Sequence, residues 1–200
     1  MDIVCLDLEG VLVPEIWIAF AKETGIPAFM RTTRDEPDYD KLMHYRLELL
    51  DRHGLGLKEI TRVIERIEPL IGAHEFLNRL RERAQVLILS DTFDQFGRPL
   101  MKKLNWPSLF CNSLFADAEG RVTGYRLRCP HTKLTTVKAL QSCGFETIAA
   151  GDSFNDLEMI RASKAGFLFR STDAIRQANP DIPAFENYDE FLEAIFHALG

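Results

Sequence analysis

Residues 3–10 read Ile-Val-Cys-Leu-Asp-Leu-Glu-Gly. Four apolar residues without a helical period, then acids and a glycine, make a short strand buried on both faces. Gly10 ends it. Two carboxylates, Asp7 and Glu9, stand two residues apart on extended backbone where that strand stops.

Outward from this stretch the pattern changes twice. Between about residues 14 and 70 the apolar spacing is helical. WIAFAKETG (17–25), DYDKLMHYRLELLDRHG (38–54) and LKEITRVIERIEPL (57–70) are expected helices, ended by Gly25, His53-Gly54 and Pro69. The polar RTTRDEPDYD (31–40) between the first two is a loop or hinge, its acids solvated. Beyond Pro69, short apolar runs alternate with amphipathic helices. QVLILS (85–90), ETIAAGDS (146–153) and AGFLF (165–169) are expected strands. HEFLNRLRERA, FGRPLMKKLN, HTKLTTVKALQSCG, NDLEMIRASKAG, TDAIRQAN and NYDEFLEAIFHAL are expected helices. LFCNSLFADAEGRVTGYRL is a strand followed by a hairpin with Glu119-Gly120 at the turn.

This alternation predicts an α/β fold with a doubly wound, mainly parallel, Rossmann-like sheet covered on both faces. The helical block enters straight after the first strand, above the carboxyl ends where open α/β sheets bind ligands. It is expected to be a small cap, 14–70, on a core made of 1–13 and 71–200.

Composition bounds the rest. The chain has 200 residues, 46% of them apolar and 27% charged, with a net charge of −6 spread along its length. A basic face for nucleic acid is not expected. No apolar run approaches the ~18 residues of a membrane span. The start of the sequence lacks a basic, apolar leader pattern, so a reducing cytoplasm is the expected location. Cys5, Cys111, Cys129 and Cys143 form no C-x-x-C pair, and Cys5 reads as a buried thiol. The five histidines carry no metal-binding spacing.

Three polar clusters follow apolar strands: Asp7-Leu8-Glu9-Gly10, Ser90-Asp91-Thr92 and Gly151-Asp152-Ser153-Phe154-Asn155-Asp156. A parallel sheet gathers them at one edge, with Lys133 on the intervening helix. Carboxylates brought together repel unless a cation neutralises them, and an all-oxygen set suits Mg²⁺. With Mg²⁺ and Lys133 present the edge becomes receptive to phosphate, held also by the Ser90 hydroxyl and backbone N–H groups. A carboxylate can then attack phosphorus while a second acid protonates the leaving oxygen. Taken singly, each cluster also has a plain reading: acids often end strands, and Asp152, Ser153 or Asn155 could simply cap the next helix. Lys133 near a helix start opposes the macrodipole, a cost an anion would offset; Lys138 lies further along.

The ordered set Asp7-x-Glu9-Gly10, Ser90, Lys133 and Gly151-Asp152-x-x-Asn155-Asp156 resembles the haloacid dehalogenase superfamily across residues 7–156. Within it the chain resembles the phosphoserine phosphatase branch, and most of all the bifunctional variety that also transfers phosphoryl groups to homoserine. The resemblance implies Asp7 as nucleophile and Glu9 as general acid/base. It implies Mg²⁺ held by Asp7, the Glu9 carbonyl and Asp152, with Asp156 in support. Ser90, Lys133 and Asn155 would bind phosphate, with Asp91 and Thr92 beside them. Phosphoserine is the implied substrate and homoserine a second acceptor, in serine and threonine biosynthesis. Assembly stays open between monomer and homodimer.

Departures accompany the likeness: Glu9 stands where the superfamily usually has Asp, Val11 replaces Thr, and Ser90-Asp91-Thr92 replaces Ser-Gly-Gly. For the block, helical spacing puts Arg46 among Leu42, Met43, Leu49 and Leu50. It either faces inward to clamp a substrate carboxylate or snorkels outward. Glu15 is a candidate for an α-ammonium group. Three alternatives stay open: a phosphatase of another small phosphomonoester, a phospho-receiver domain, and a degenerate binding protein on the same fold.

Overall fold

The computed structural model describes every residue except Arg34 and Pro37, which fall within the expected 31–40 loop. Strand β1 (Asp2–Leu6) lies at the centre of a seven-stranded sheet. It pairs in parallel with β2 (Gln85–Phe93) on one side and β5 (Glu146–Gly151) on the other. Beyond β2 come β3 (Ser108–Ala116) and the antiparallel β4 (Val122–Arg126). Beyond β5 come β6 (Ala165–Phe169) and the short β7 (Ala184–Phe185). The chain therefore winds outward in both directions from β1, and the switch point lies between β1 and β5.

Alternation along β1 covers both faces. Val4 and Leu6 point into the larger apolar cluster, Ile3 and Cys5 into the smaller. Helices α4 (Ala73–Arg81), α5 (Asp94–Lys103) and α9 (Tyr188–Ala198) pack on the first face. Helices α6 (Thr132–Ser142), α7 (Leu157–Ala162) and α8 (Asp173–Ala178) pack on the second. Burial pushes the Cys5 thiol up to about 12, so it stays an inert part of that face.

The helical block between β1 and α4 holds α1 (Ile16–Thr24), a 3-10 turn (Pro27–Met30), α2 (Tyr39–Arg52) and α3 (Leu57–Ile64). Trp17, Phe20 and Phe29 pack ring against ring inside it. Gly25 ends α1 in the left-handed conformation. The Asp38 carboxylate caps α2 by accepting the Lys41 N–H. The ends of the block meet: the Leu70 N–H donates to the Leu12 carbonyl at 2.9 Å. The block also leans on the β3–β4 hairpin. Arg121 pairs with Asp51 at 2.8 Å, and the Leu57 N–H donates to the Gly120 carbonyl at 2.9 Å.

Three boundaries differ from the sequence reading. Helix α3 stops at Ile64, not near Pro69, because the Lys103 ammonium binds the carbonyls of Glu65 and Ile67 and draws the chain aside. Strand β2 runs to Phe93, with a register shift after Leu89, so Ser90-Asp91-Thr92 lies within the strand's irregular end. The helix expected over 155–166 begins as a 3-10 turn (Phe154–Asp156) and is α-helical only from Leu157.

Candidate active site

Asp7 is the first residue beyond β1, and its N–H donates to the Ala150 carbonyl on β5. Asp152 follows β5 directly. The two acids thus face each other across the switch point. Asp156 comes back to the same place through the tight turn after β5. Its Oδ2 accepts the N–H groups of Asp152 (3.1 Å) and Ser153 (3.0 Å) and the Ser153 hydroxyl (3.0 Å). Carboxylate oxygens of Asp7, Asp152 and Asp156 lie within 4.8 Å of one another, and all three residues are buried.

Lys133, in the first turn of α6, is equally buried. Its Nζ sits 2.5 Å from Asp156 Oδ1 and 2.9 Å from Asp7 Oδ1. Burial works against its charge, but Asp156, Asp7 and Asp91 outweigh that effect and hold its pKa well above the ordinary lysine value. The paired Asp7 and Asp156 carboxylates also offset its unfavourable place at a helix N-terminus. Lys138, by contrast, is exposed. Burial and the nearby Asp156 push the Asp7 carboxyl well above the usual carboxylate range, with Lys133 pulling the other way.

Two glycines let the acids approach. Gly10 has φ +78°, and a Cβ there would come within 2.5 Å of the Asp152 carboxyl carbon. A Cβ on Gly151 would lie 2.1 Å from the Asp156 carboxyl carbon. No side chain fits either place.

Glu9 turns toward the helical block, where its Oε2 accepts the Ile16 N–H at 2.8 Å. Burial first, then the charge of Glu15, raises its pKa to about 8, against the opposing pull of the Ile16 N–H, Arg46 and Lys133. Arg46 faces inward, 7% exposed, with its guanidinium carbon 4.6 Å from the Trp17 ring centre. One guanidinium nitrogen donates to the Arg31 carbonyl at 3.0 Å, while the buried Nε has no partner. Of the two orientations open to Arg46, the inward one is found. Glu15 lines the same cavity, which measures about 90 Å³ and also borders Asp7, Glu9, Ser90, Thr92 and Asp152.

Ser90 and Thr92 are buried, the Thr92 N–H donating to the Ser90 hydroxyl at 3.2 Å. The Asp91 carboxylate is engaged by protein: Oδ1 accepts the Thr132 hydroxyl (2.5 Å) and Oδ2 the Asn155 amide (3.1 Å). Its carbonyl accepts the Tyr39 hydroxyl (3.0 Å) and the Asn112 amide (3.2 Å). Ten of the eleven candidates from the sequence, Asp7, Glu9, Glu15, Arg46, Ser90, Asp91, Thr92, Lys133, Asp152 and Asn155, border this one cavity; the eleventh, Asp156, bonds to Lys133 and to the Asp152 N–H beside it.

Sequence reasoning passed over Trp17, Thr132 and Tyr39. Trp17 and Thr132 sit on helices where spacing marks them only as buried. Tyr39 follows a polar loop and carries no local signal. A second, larger chamber of about 370 Å³ adjoins the first, bounded by Leu127, His131, Thr132, Leu134, Phe154 and Glu158. It too was invisible in the sequence.

A family model described as haloacid dehalogenase-like hydrolase matches residues 1–164. The chain belongs to that family. It is 51% identical over 204 residues to the phosphoserine phosphatase ThrH of Pseudomonas aeruginosa, covering 100% of both chains. It is 50% identical over 198 residues to a phosphoserine phosphatase of Pseudomonas syringae pv. tomato, covering 99% of this chain and 84% of that one. Among solved structures, a substrate-bound phosphoserine phosphatase complex superposes with a TM-score of 0.80 at 22% identity, covering 96% of this chain and 97% of that one. A phospho-aspartyl intermediate analogue of phosphoserine phosphatase superposes with a TM-score of 0.79 at 22% identity, covering 96% and 98%. At that identity the likeness shows the haloacid dehalogenase fold.

Proposed function

We propose that the chain is a phosphoserine phosphatase that works through a phosphoryl group carried on Asp7, with 14–70 as its cap. The carrying observation is the buried Asp7–Lys133–Asp156 arrangement beside Asp152, opening onto a cavity roofed by Glu15 and Arg46. The half-identical relatives named phosphoserine phosphatase support the choice of substrate.

The donor set fits Mg²⁺. Three clustered carboxylates are all-oxygen ligands, and a cation beside Asp7 would oppose the burial and the Asp156 charge that raise its carboxyl above the usual range. Asp7, Asp152 and the Glu9 carbonyl would hold the ion, with Asp156 behind them. When bound, the ion supplies charge neutralisation at the phosphoryl oxygens.

In the reaction, an Asp7 oxygen attacks phosphorus and the bond to the serine oxygen breaks. Glu9, protonated at neutral pH, gives its proton to the departing alkoxide. Water then attacks the phosphoaspartate, Glu9 takes a proton from it, and inorganic phosphate leaves. Lys133, Ser90 and Asn155 hold the phosphoryl oxygens. Arg46, with a free Nε, receives the substrate carboxylate, and Glu15 the ammonium. Asp91 acts through Thr132 and Asn155 rather than on phosphate itself, since a carboxylate beside phosphate would repel it.

A second outcome uses the same groups: homoserine replaces water and leaves phosphorylated. The large chamber beside the catalytic cavity favours it, because a second organic molecule needs a route in. Steady Mg²⁺-dependent phosphate release from phosphoserine, with phosphohomoserine appearing when homoserine is added, is the expected result. No turnover across a panel of small phosphomonoesters would overturn the phosphatase, and no phosphohomoserine at saturating homoserine would remove the transferase.

A further inference from the structure

The catalytic cavity and the outer chamber have a common wall: Thr33, Tyr39, Asp91, Lys133, Ser153 and Asn155 border both. Lys133 and Asn155 are occupied in the site, and Asp91 is bonded on four sides. Tyr39 differs. It is the first residue of α2, so it travels with the helical block, whereas Asp91, Lys133 and Asn155 belong to the core. A hydrogen bond crosses this wall from block to core, from the Tyr39 hydroxyl to the Asp91 carbonyl at 3.0 Å. The ring is braced from outside by Tyr125, whose centre lies 6.0 Å away edge to face.

We infer that Tyr39 is a specificity-determining residue that sets which acceptor, water or a small primary alcohol, reaches the phosphoryl group on Asp7. The inference rests on the phosphoaspartate reading above and adds the residue that partitions it. With the Tyr39–Asp91 bond made, the Tyr39 side chain stands at the boundary between the inner cavity of about 90 Å³ and the chamber of about 370 Å³, and water, the smaller acceptor, has the advantage. With the bond broken, the ring swings clear and an alcohol enters from the chamber. Its oxygen attacks phosphorus, the bond from phosphorus to Asp7 breaks, and the hydroxyl proton passes to Glu9. Asp7 returns as a carboxylate and the alcohol leaves as its phosphate monoester.

The test follows both products at once. Full-length enzyme with Mg²⁺ and phosphoserine is given ethanolamine, 1,3-propanediol or homoserine, and ³¹P NMR measures the ratio of phosphorylated alcohol to inorganic phosphate. In Tyr39→Phe, which keeps the ring, the ratio rises about fivefold, the population shift from losing one hydrogen bond of ordinary net strength. In Tyr39→Ala it rises further and reaches the bulkier alcohols. The ratio is internal to active molecules, so a loss of folded protein does not move it. Arg121→Ala loosens the block elsewhere, by breaking the pair with Asp51, and leaves the ratio unchanged. If wild type only hydrolyses, transfer must emerge in Tyr39→Ala. A constant ratio in both Tyr39 variants, or an equal rise in Arg121→Ala, overturns the role of Tyr39. Absence of hydrolysis in wild type sinks the phosphatase reading instead.

Discussion

In the proposed reaction Asp7 and Glu9 divide the chemistry through their surroundings. Asp7 meets Lys133 at 2.9 Å, while Glu9 faces another acid, Glu15, and is held near 8. Asp7→Asn keeps the shape but cannot form the ester; kcat is expected to fall about 10⁴-fold or more, and rapid-quench labelling should find no phosphoprotein. Glu9→Gln removes the proton source. Hydrolysis of phosphoserine should drop about 10²–10⁴-fold, and that of a nitrophenyl phosphate, whose leaving group needs no proton, far less. The pH dependence follows in sign. The acid form of Glu9 is lost as pH rises through about 8, so formation of the phosphoenzyme from an alkyl ester declines above that value, and the limb vanishes in Glu9→Gln. Folding takes up a proton here, so metal-free protein loses stability as pH rises from about 4.5 to 8, a slope Glu9→Gln should flatten.

At the scale of elements, the turn after β5 carries the tightest constraint. The Asp156 carboxylate folds back onto two N–H groups of its own turn and leaves no room over Gly151. Gly151→Ala should destabilise the protein by about 1–3 kcal/mol through overpacking, read as a lowered Tm. It should also weaken Mg²⁺ binding, because Asp152 and Asp156 must part. An unchanged Tm would show that the turn yields more easily than its packing implies. What the sequence made legible here follows from physics. Apolar runs that give way at Asp7, Ser90 and Gly151 announce themselves by the abrupt change in polarity, although β2 itself continues to Phe93. The end of α3 did not, because it is set by Lys103, over thirty residues away. Strand β7 escaped notice since two residues give no alternation to detect. Four apolar neighbours at helical spacing singled out Arg46 but left inward and outward orientations open, and nothing near Tyr39 in the chain reports its bond to Asp91.

The whole molecule concentrates like charges at one spot on an acidic chain. Asp7, Asp152 and Asp156 share a buried corner in which Lys133 is the cation paired to two of them. A bound divalent cation should therefore stabilise the entire fold and not only the site. At a hundredfold excess over its Kd, Mg²⁺ is expected to raise Tm by about 5–10 °C for a chain of this size. Asp152→Asn should abolish most of that shift. A Tm indifferent to Mg²⁺ would count against the metal site. Among the described residues no helix is long and apolar enough to cross a membrane, in keeping with an apolar content that goes into two clusters flanking one sheet.

The hydrogen bond between Leu12 and Leu70 bears on how such a molecule can change over generations. To the sheet, everything between those residues is one excursion whose departure and return lie side by side. Lengthening, shortening or exchanging that excursion alters the closure entropy of the chain only slowly with length. The groups proposed to handle phosphorus stay where the core puts them, while those proposed to choose substrate and acceptor, Glu15, Arg46 and Tyr39, come and go as a unit. Heredity can therefore treat the recognising part as a replaceable cassette, and so can a protein engineer: a foreign helical segment spliced between these two residues should keep the Asp7, Lys133 and Asp152 corner and bring its own choice of ester, provided it offers Glu9 an N–H in the place of Ile16.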